Sequence, residues 1–295
     1  MGFITLGWFE MSRFAMWLGC AGLSIVLAAV SVQAAEVAPD LKRKINIAGK
    51  QRMLSQRMAR AACLASQGVM VAKQNQIWEE ANAAFAKALA GLRSGDEDLM
   101  IRTEAHPQVL EALSSVDRVW PGYAASLDRA RGDVASLPEV AMRSLSVLKA
   151  ANDVVVALEG STDGTGVSQE LARLINVAGR QRMLTQRAAK EYCLIAAGIE
   201  PEMQREALAA TVALFDRSLE GLRRGDDEMG LLAAPDEVIE MQLEYVADLW
   251  TPLRAQFQKA IDGLPPSPTG LGMVAANIDS VLSAANEAVW LYENF

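Results

Sequence analysis

Arginine is the residue whose placement in this chain asks for chemistry. Ile45-Asn46-Ile47-Ala48-Gly49-Lys50-Gln51-Arg52-Met53-Leu54-Ser55-Gln56-Arg57 returns 130 residues later as Ile175-Asn176-Val177-Ala178-Gly179-Arg180-Gln181-Arg182-Met183-Leu184-Thr185-Gln186-Arg187, with only conservative differences. Seven basic residues and no acid stand between Lys42 and Arg60, and five and no acid between Arg173 and Lys190, although the chain carries a formal net charge of −8. Helical spacing places Ile45, Ala48, Arg52, Ser55, Ala59 and Ala62 on one stripe, beside an apolar stripe of Ile47, Leu54, Met58 and Ala61 that suits a bundle core. A stripe of small residues lets a second helix come close, which leaves the guanidinium of Arg52, and by repetition that of Arg182, partly desolvated with no carboxylate from its own helix. Such a group either recruits an acid from another helix, with Glu79, Glu80, Asp153, Glu159, Glu206, Asp216 and Glu287 as candidates, or binds an anion from outside. Planar forked donors suit a small planar oxyanion, with backbone around Gly49 and Gly179 and the amides of Gln51 and Gln181 as further donors. With the first helix starting near Asp40, the macrodipole sharpens the point, because cations near a helix N-terminus are disfavoured by about 0.3 to 1 kcal/mol each.

Other chemistry has little to work with. The only histidine, His106, precedes Pro107 at a loop-to-helix junction, and the cysteines are Cys20, Cys63 and Cys193. A zinc site or a histidine-based triad lacks its residues, so no metal, cofactor or catalytic residue is expected and the chain does not read as an enzyme. The carboxylates Asp96 and Asp98, and Asp226 to Glu228, follow Gly95 and Gly225, where capping explains them. An acidic chain also argues against nucleic acid as a partner. Cys63 and Cys193 each lie eleven residues beyond their motif arginine, about three helical turns. If the two motif helices pair in parallel, these thiols meet and an oxidising compartment permits a disulfide; otherwise they are two separately buried small hydrophobes.

The elements that must position the arginines follow from punctuation. The 130-residue offset also pairs Phe85 with Phe215, Leu89 with Leu219, Gly91-Leu92-Arg93 with Gly221-Leu222-Arg223, and Trp120 with Trp250, a duplication rather than chance. Glycines at Gly68 and Gly95 and prolines at Pro107 and Pro138 divide the first copy into helices over about 40–67, 75–93, 107–131 and 138–158; the second copy divides over about 168–197, 201–223, 235–264 and 271–293. No segment alternates with a period of two, so no sheet is expected. The fold class is therefore all-α, two tandem antiparallel four-helix bundles over residues 36–160 and 166–295, joined through the glycine-rich stretch 160–166. Residues 1–34 read as a signal segment: Arg13 precedes an apolar run from Phe14 to Val32, and a small-residue cleavage pattern follows. Export to the periplasm follows, with an uncleaved signal anchoring the protein to the inner membrane as the alternative. No later segment reads as a second membrane span, so a signal is expected to pass to a separate membrane receptor or transporter.

The motif resembles the sensor domain at the N-terminus of type IV pilus methyl-accepting chemotaxis transducers, the PilJ-type domain, whose hallmark both copies match. It is also similar to the P-box of nitrate/nitrite sensor histidine kinases, where an Ala-Gly-x-x-Arg-Met segment on the first helix of a periplasmic four-helix bundle binds nitrate at a dimer axis. The resemblance places the P-box glycine on Gly49 and Gly179 and the anion-binding arginine on Arg52 and Arg182. It implies a periplasmic sensor or binding protein for a small inorganic oxyanion, nitrate or nitrite, with the two copies meeting as an internal pseudo-dimer. The competing expectation is a ligand-free interaction module of an envelope, pilus or chemosensory assembly, with the arginine helix as its docking surface.

Overall fold

The computed structural model describes residues 18–131 and 133–295, with side chains from residue 37 onward. The expected signal segment, 1–34, lies outside these apart from the backbone of its second half. Eight helices carry the described chain: α1 (Leu18–Ser66), α2 (Val71–Ser94), α3 (Pro107–Ala130), α4 (Leu137–Glu159), α5 (Gln169–Ala196), α6 (Pro201–Arg224), α7 (Glu237–Ile261) and α8 (Pro268–Asn294). Helices α1–α4 form one up-and-down bundle and α5–α8 a second, and the bundles meet along α1 and α5. Among the described residues no helix is long and apolar enough to cross a membrane.

Local chemistry sets the boundaries. Gly68 and Gly198 take the left-handed conformation, with φ of +74° and +73°, directly after α1 and α5. The Ser168 hydroxyl accepts from Leu171 N at the start of α5, and Asp236 does the same for Ile239 N at the start of α7. Phe85 stacks on Trp120 with ring centroids 4.1 Å apart, and Phe215 on Trp250 at 4.0 Å, so each tryptophan serves a bundle core. Helices α3 and α7 run on through Pro121 and Pro252.

Two expectations need correction. Helix α1 is already under way at Leu18, the first described residue, and does not wait until Asp40, because the alanine-rich residues before Pro39 carry it and the proline does not end it. Arg52 is consequently mid-helix, and the macrodipole argument does not apply to it. A short antiparallel pair also forms between β1 (Gly95–Asp96) and β2 (Ile101–Thr103), reduced in the second copy to the single bridge Asp226–Leu231. The Asp96 carboxylate accepts from Leu99 N and that of Asp226 from Met229 N, both at 2.9 Å, so these acids shape the turns.

Helix α5 is buried almost all round, since it packs on α6 and α8 of its own bundle and on α1 of the other. That explains why the motif tolerates both an apolar and a small-residue stripe. One side faces the bundle core and the other faces the seam.

A buried arginine pair at the seam

Helices α1 and α5 run parallel with their copies in register, so equivalent residues meet across a pseudo-two-fold axis. Cys63 and Cys193 are joined in a disulfide, with Cα atoms 6.2 Å apart. Three turns earlier the same register brings the two motif arginines together. A Cβ on Gly49 would lie 3.2 Å from Arg182 Nη2 and 3.4 Å from Arg52 Nη2; on Gly179 it would lie 3.1 Å and 3.7 Å from the same two atoms. The glycines therefore contribute space, and both guanidiniums occupy it.

Arg52 and Arg182 are 1% and 2% exposed, and neither forms an ion pair among the described residues. Their acceptors are neutral. Arg52 donates through Nη1 to Asn152 Oδ1 at 2.9 Å and through Nη2 to the Asn176 carbonyl at 3.1 Å. Arg182 donates through Nη1 to Asn46 Oδ1 at 2.7 Å and Asn286 Oδ1 at 3.3 Å, and through Nη2 to the Asn46 carbonyl at 3.1 Å. Each arginine thus reaches an asparagine on its own bundle's last helix and the helix backbone of the other bundle. Arg52 Nε has no partner among the described residues.

Of the acids named as alternative partners, four are ion-paired elsewhere, Glu79 with Arg131, Asp153 with Lys149, Asp216 with Arg254 and Glu159 with Arg173, and Glu80, Glu206 and Glu287 form no ion pair with either arginine. Burial lowers the pKa of Arg52 to about 9, with further depression from Arg180 and Arg182, and lowers that of Arg182 to about 10. Lys50 is likewise lowered by burial and by Arg182. Glu159 at Arg52 and Glu293 at Arg182 offset this lowering in part, each carboxylate accepting from an asparagine amide that borders the pair, and neither touches a guanidinium directly.

Gln51 and Gln181 do not belong to this site. One residue of helical rotation, about 100°, turns them into their own bundles, where Gln51 Nε2 donates to the Phe85 carbonyl at 3.3 Å and Gln181 Nε2 to Ser218 Oγ at 2.7 Å. The backbone N–H groups around Gly49 and Gly179 lie inside regular helix and are spent on its hydrogen bonds, so the glycines contribute through their missing side chains and, at Gly179, through a carbonyl that accepts from Arg182 Nε at 3.4 Å. The reading from sequence missed Asn46, Asn176, Asn152 and Asn286. The first two were visible inside the repeated motif. The other two are 134 residues apart, because the register shifts between the third and fourth helices, and the 130-residue offset does not find them.

Comparison with known proteins agrees with this duplication. Residues 40–142 and 166–270 each match the family described as the type IV pili methyl-accepting chemotaxis transducer N-terminal domain, PilJ. The chain belongs to the PilJ family. Over 126 residues it is 33% identical to the methyl-accepting chemotaxis protein McpN of Pseudomonas aeruginosa, an alignment that covers 39% of this chain and 23% of that protein. The two PilJ modules are thus sensory, signal-transducing domains, and the seam between them is where the arginines of the repeated motif converge.

Proposed function

We propose that this tandem PilJ protein is a periplasmic sensor or binding protein for one small planar oxyanion, nitrate or nitrite, held between Arg52 and Arg182. One observation carries the reading: two buried guanidiniums lie side by side with only amide and carbonyl oxygens as acceptors. At an effective dielectric of 20, two unit charges about 7 Å apart repel by about 2 kcal/mol, whereas an anion about 4 Å from each gains about 4 kcal/mol from each before desolvation is charged against it. The anion relieves a repulsion that the fold creates. Arginine suits the task because its charge survives burial and its planar fork matches a planar oxyanion. Occupied and empty states differ in how closely α1 and α5 approach, and that difference passes to a separate membrane receptor or transporter. Docking of a partner on the motif arginines would need them at the surface, and both are buried.

Isothermal titration of the mature chain with nitrate, nitrite, sulfate and chloride tests the reading. One nitrate or nitrite per chain is expected, with binding lost in Arg52→Ala and Arg182→Ala and not restored by Arg52→Lys. Equal binding of all four anions would remove the assignment of ligand, and binding that survives loss of both arginines would remove the site.

A further inference from the structure

An anion that is to lie between Arg52 and Arg182 must first reach them, and both side chains are buried. Two asparagines border the pair. Asn46 and Asn176 are equivalent in the repeat, and each donates through Nδ2 to a carboxylate, Glu293 and Glu159 respectively. Asn46 is held a second time, since its Oδ1 accepts from Arg182 Nη1 at 2.7 Å. With Nδ2 on Glu159, Asn176 Oδ1 is likewise turned toward the seam, but it accepts from nothing among the described residues because Arg52 sends its Nη1 to Asn152. Moving the Asn46 side chain breaks two hydrogen bonds; moving that of Asn176 breaks one.

The more loosely held asparagine is the one with a cleft behind it. Asn176 stands in the wall of a recess of about 450 Å³, formed by the end of α4, the first half of α5 and the loop between α6 and α7. At about 100° per residue, Gly179 lies about 60° to one side of Asn176 on α5, toward the seam, and Arg180 about 40° to the other, toward the cleft. Asn176 is therefore the partition between open cleft and buried pair, and its carbonyl accepts from Arg52 Nη2 at 3.1 Å. Arg180 lines the cleft and forms no hydrogen bond or ion pair with any described residue, whereas Arg173 is tied to Glu159 at 3.2 Å. After burial itself, Arg180 is what lowers the Arg52 pKa most, so the free cation in the cleft and the buried pair share one field. In the other copy Lys50 stands where Arg180 does and Trp290 where Val156 does, so the two sides of the seam are not interchangeable.

We propose that this cleft is the way in: the oxyanion is drawn to Arg180 in the open cleft and reaches Arg52 and Arg182 when the Asn176 side chain releases Glu159 and swings aside. The proposal rests on the oxyanion reading above and adds the route and its residues. Arg180 steers, because an unpaired cation at the mouth of a recess raises the local concentration of anions. Glu159 does not cancel that pull, since Arg173 and the Asn176 amide already engage it. The equivalent door on the first copy stays shut, with Asn46 fastened at both ends of its amide.

Titration calorimetry of the full mature chain with nitrate gives the affinity, and NMR line shapes across the same titration give the exchange rates. Val156→Trp narrows the cleft with the side chain that the other copy carries at the equivalent position. It should slow association and dissociation alike, by about fivefold or more, while the dissociation constant stays within about threefold of the parent. Arg180→Gln should slow association by about threefold or more in low-salt buffer, where steering is least screened. Trp290→Val, on the far side of the seam, should leave both rates within about twofold. Each variant is checked for helix content by circular dichroism. A folded Val156→Trp that exchanges as fast as the parent, or that loses affinity instead of rate, overturns the proposal, as do faster exchange in Trp290→Val and an unchanged association rate in Arg180→Gln. Those results leave the oxyanion site standing, whereas a parent chain that binds no nitrate removes the site and its entrance together.

Discussion

At the scale of single residues, the seam concentrates buried cations, and one of them reports its environment through pH. Lys190 is 2% exposed and donates to Gln56 Oε1 at 2.8 Å and Ser144 Oγ at 3.3 Å, both on the other bundle. Burial lowers its pKa to about 8, only partly offset by Glu191. Its counterpart at the repeat offset, Arg60, instead pairs with Asp279 at 3.0 Å, so the two copies solve the same position differently. Between pH 8 and the unfolded lysine value near 10.4 the unfolded chain binds more protons than the native one, so stability rises with pH through that window. Urea midpoints of the parent and of Lys190→Met at pH 7.5 and pH 9.5 should differ in slope. The parent gains on the order of 1 to 2 kcal/mol relative to the variant, since Arg52 and Arg182 act in the same direction in both proteins and cancel. Equal slopes would mean that Lys190 is not titrating in that window.

At the scale of elements, helix identity was legible because caps and periodicity agree. Gly68, Gly198, Pro107 and Pro201 stand at boundaries that the structure keeps to within a few residues. The upstream extension of α1 was not legible, since a proline at position 39 reads as a stop until the helix formers around it are weighed. The short strand pair was equally hidden, because two or three residues cannot display a period. Within the site, the stripe analysis found the arginines and the resemblance added the glycines, but a motif shows a helix face and not what that face meets, so the roles of the four asparagines stayed out of view. The glycines yield a prediction at this scale. Alanine at 49 and 179 favours each helix by about 1 kcal/mol, while its methyl must displace a guanidinium by a few tenths of an ångström. Gly49→Ala with Gly179→Ala should leave stability within about 1 kcal/mol of the parent and weaken nitrate binding at least tenfold, read by urea denaturation and calorimetry. Unchanged nitrate affinity would show that the anion does not lie between these helices.

At the scale of the whole molecule, duplication has set two equivalent helices, α1 and α5, against each other inside one chain. The linker from the end of α4 at Glu159 to the start of α5 at Gln169 is short, so the modules face each other at high effective concentration before any covalent bond closes. The Cys63–Cys193 disulfide then closes a loop of 130 residues, for which chain entropy assigns about 5 kcal/mol. These two devices should separate experimentally. The disulfide lies three turns from the arginines, and the small-residue stripe between them is buried, with Ala59 and Ala62 on α1 and Ala189 on α5. Removing the bond in Cys63→Ala with Cys193→Ala should therefore lower the unfolding free energy by several kcal/mol while nitrate affinity stays within about threefold of the parent. If affinity instead collapses together with stability, the covalent bond and not the packed seam sets the spacing of the guanidiniums, and sensing would depend on the redox state of the compartment.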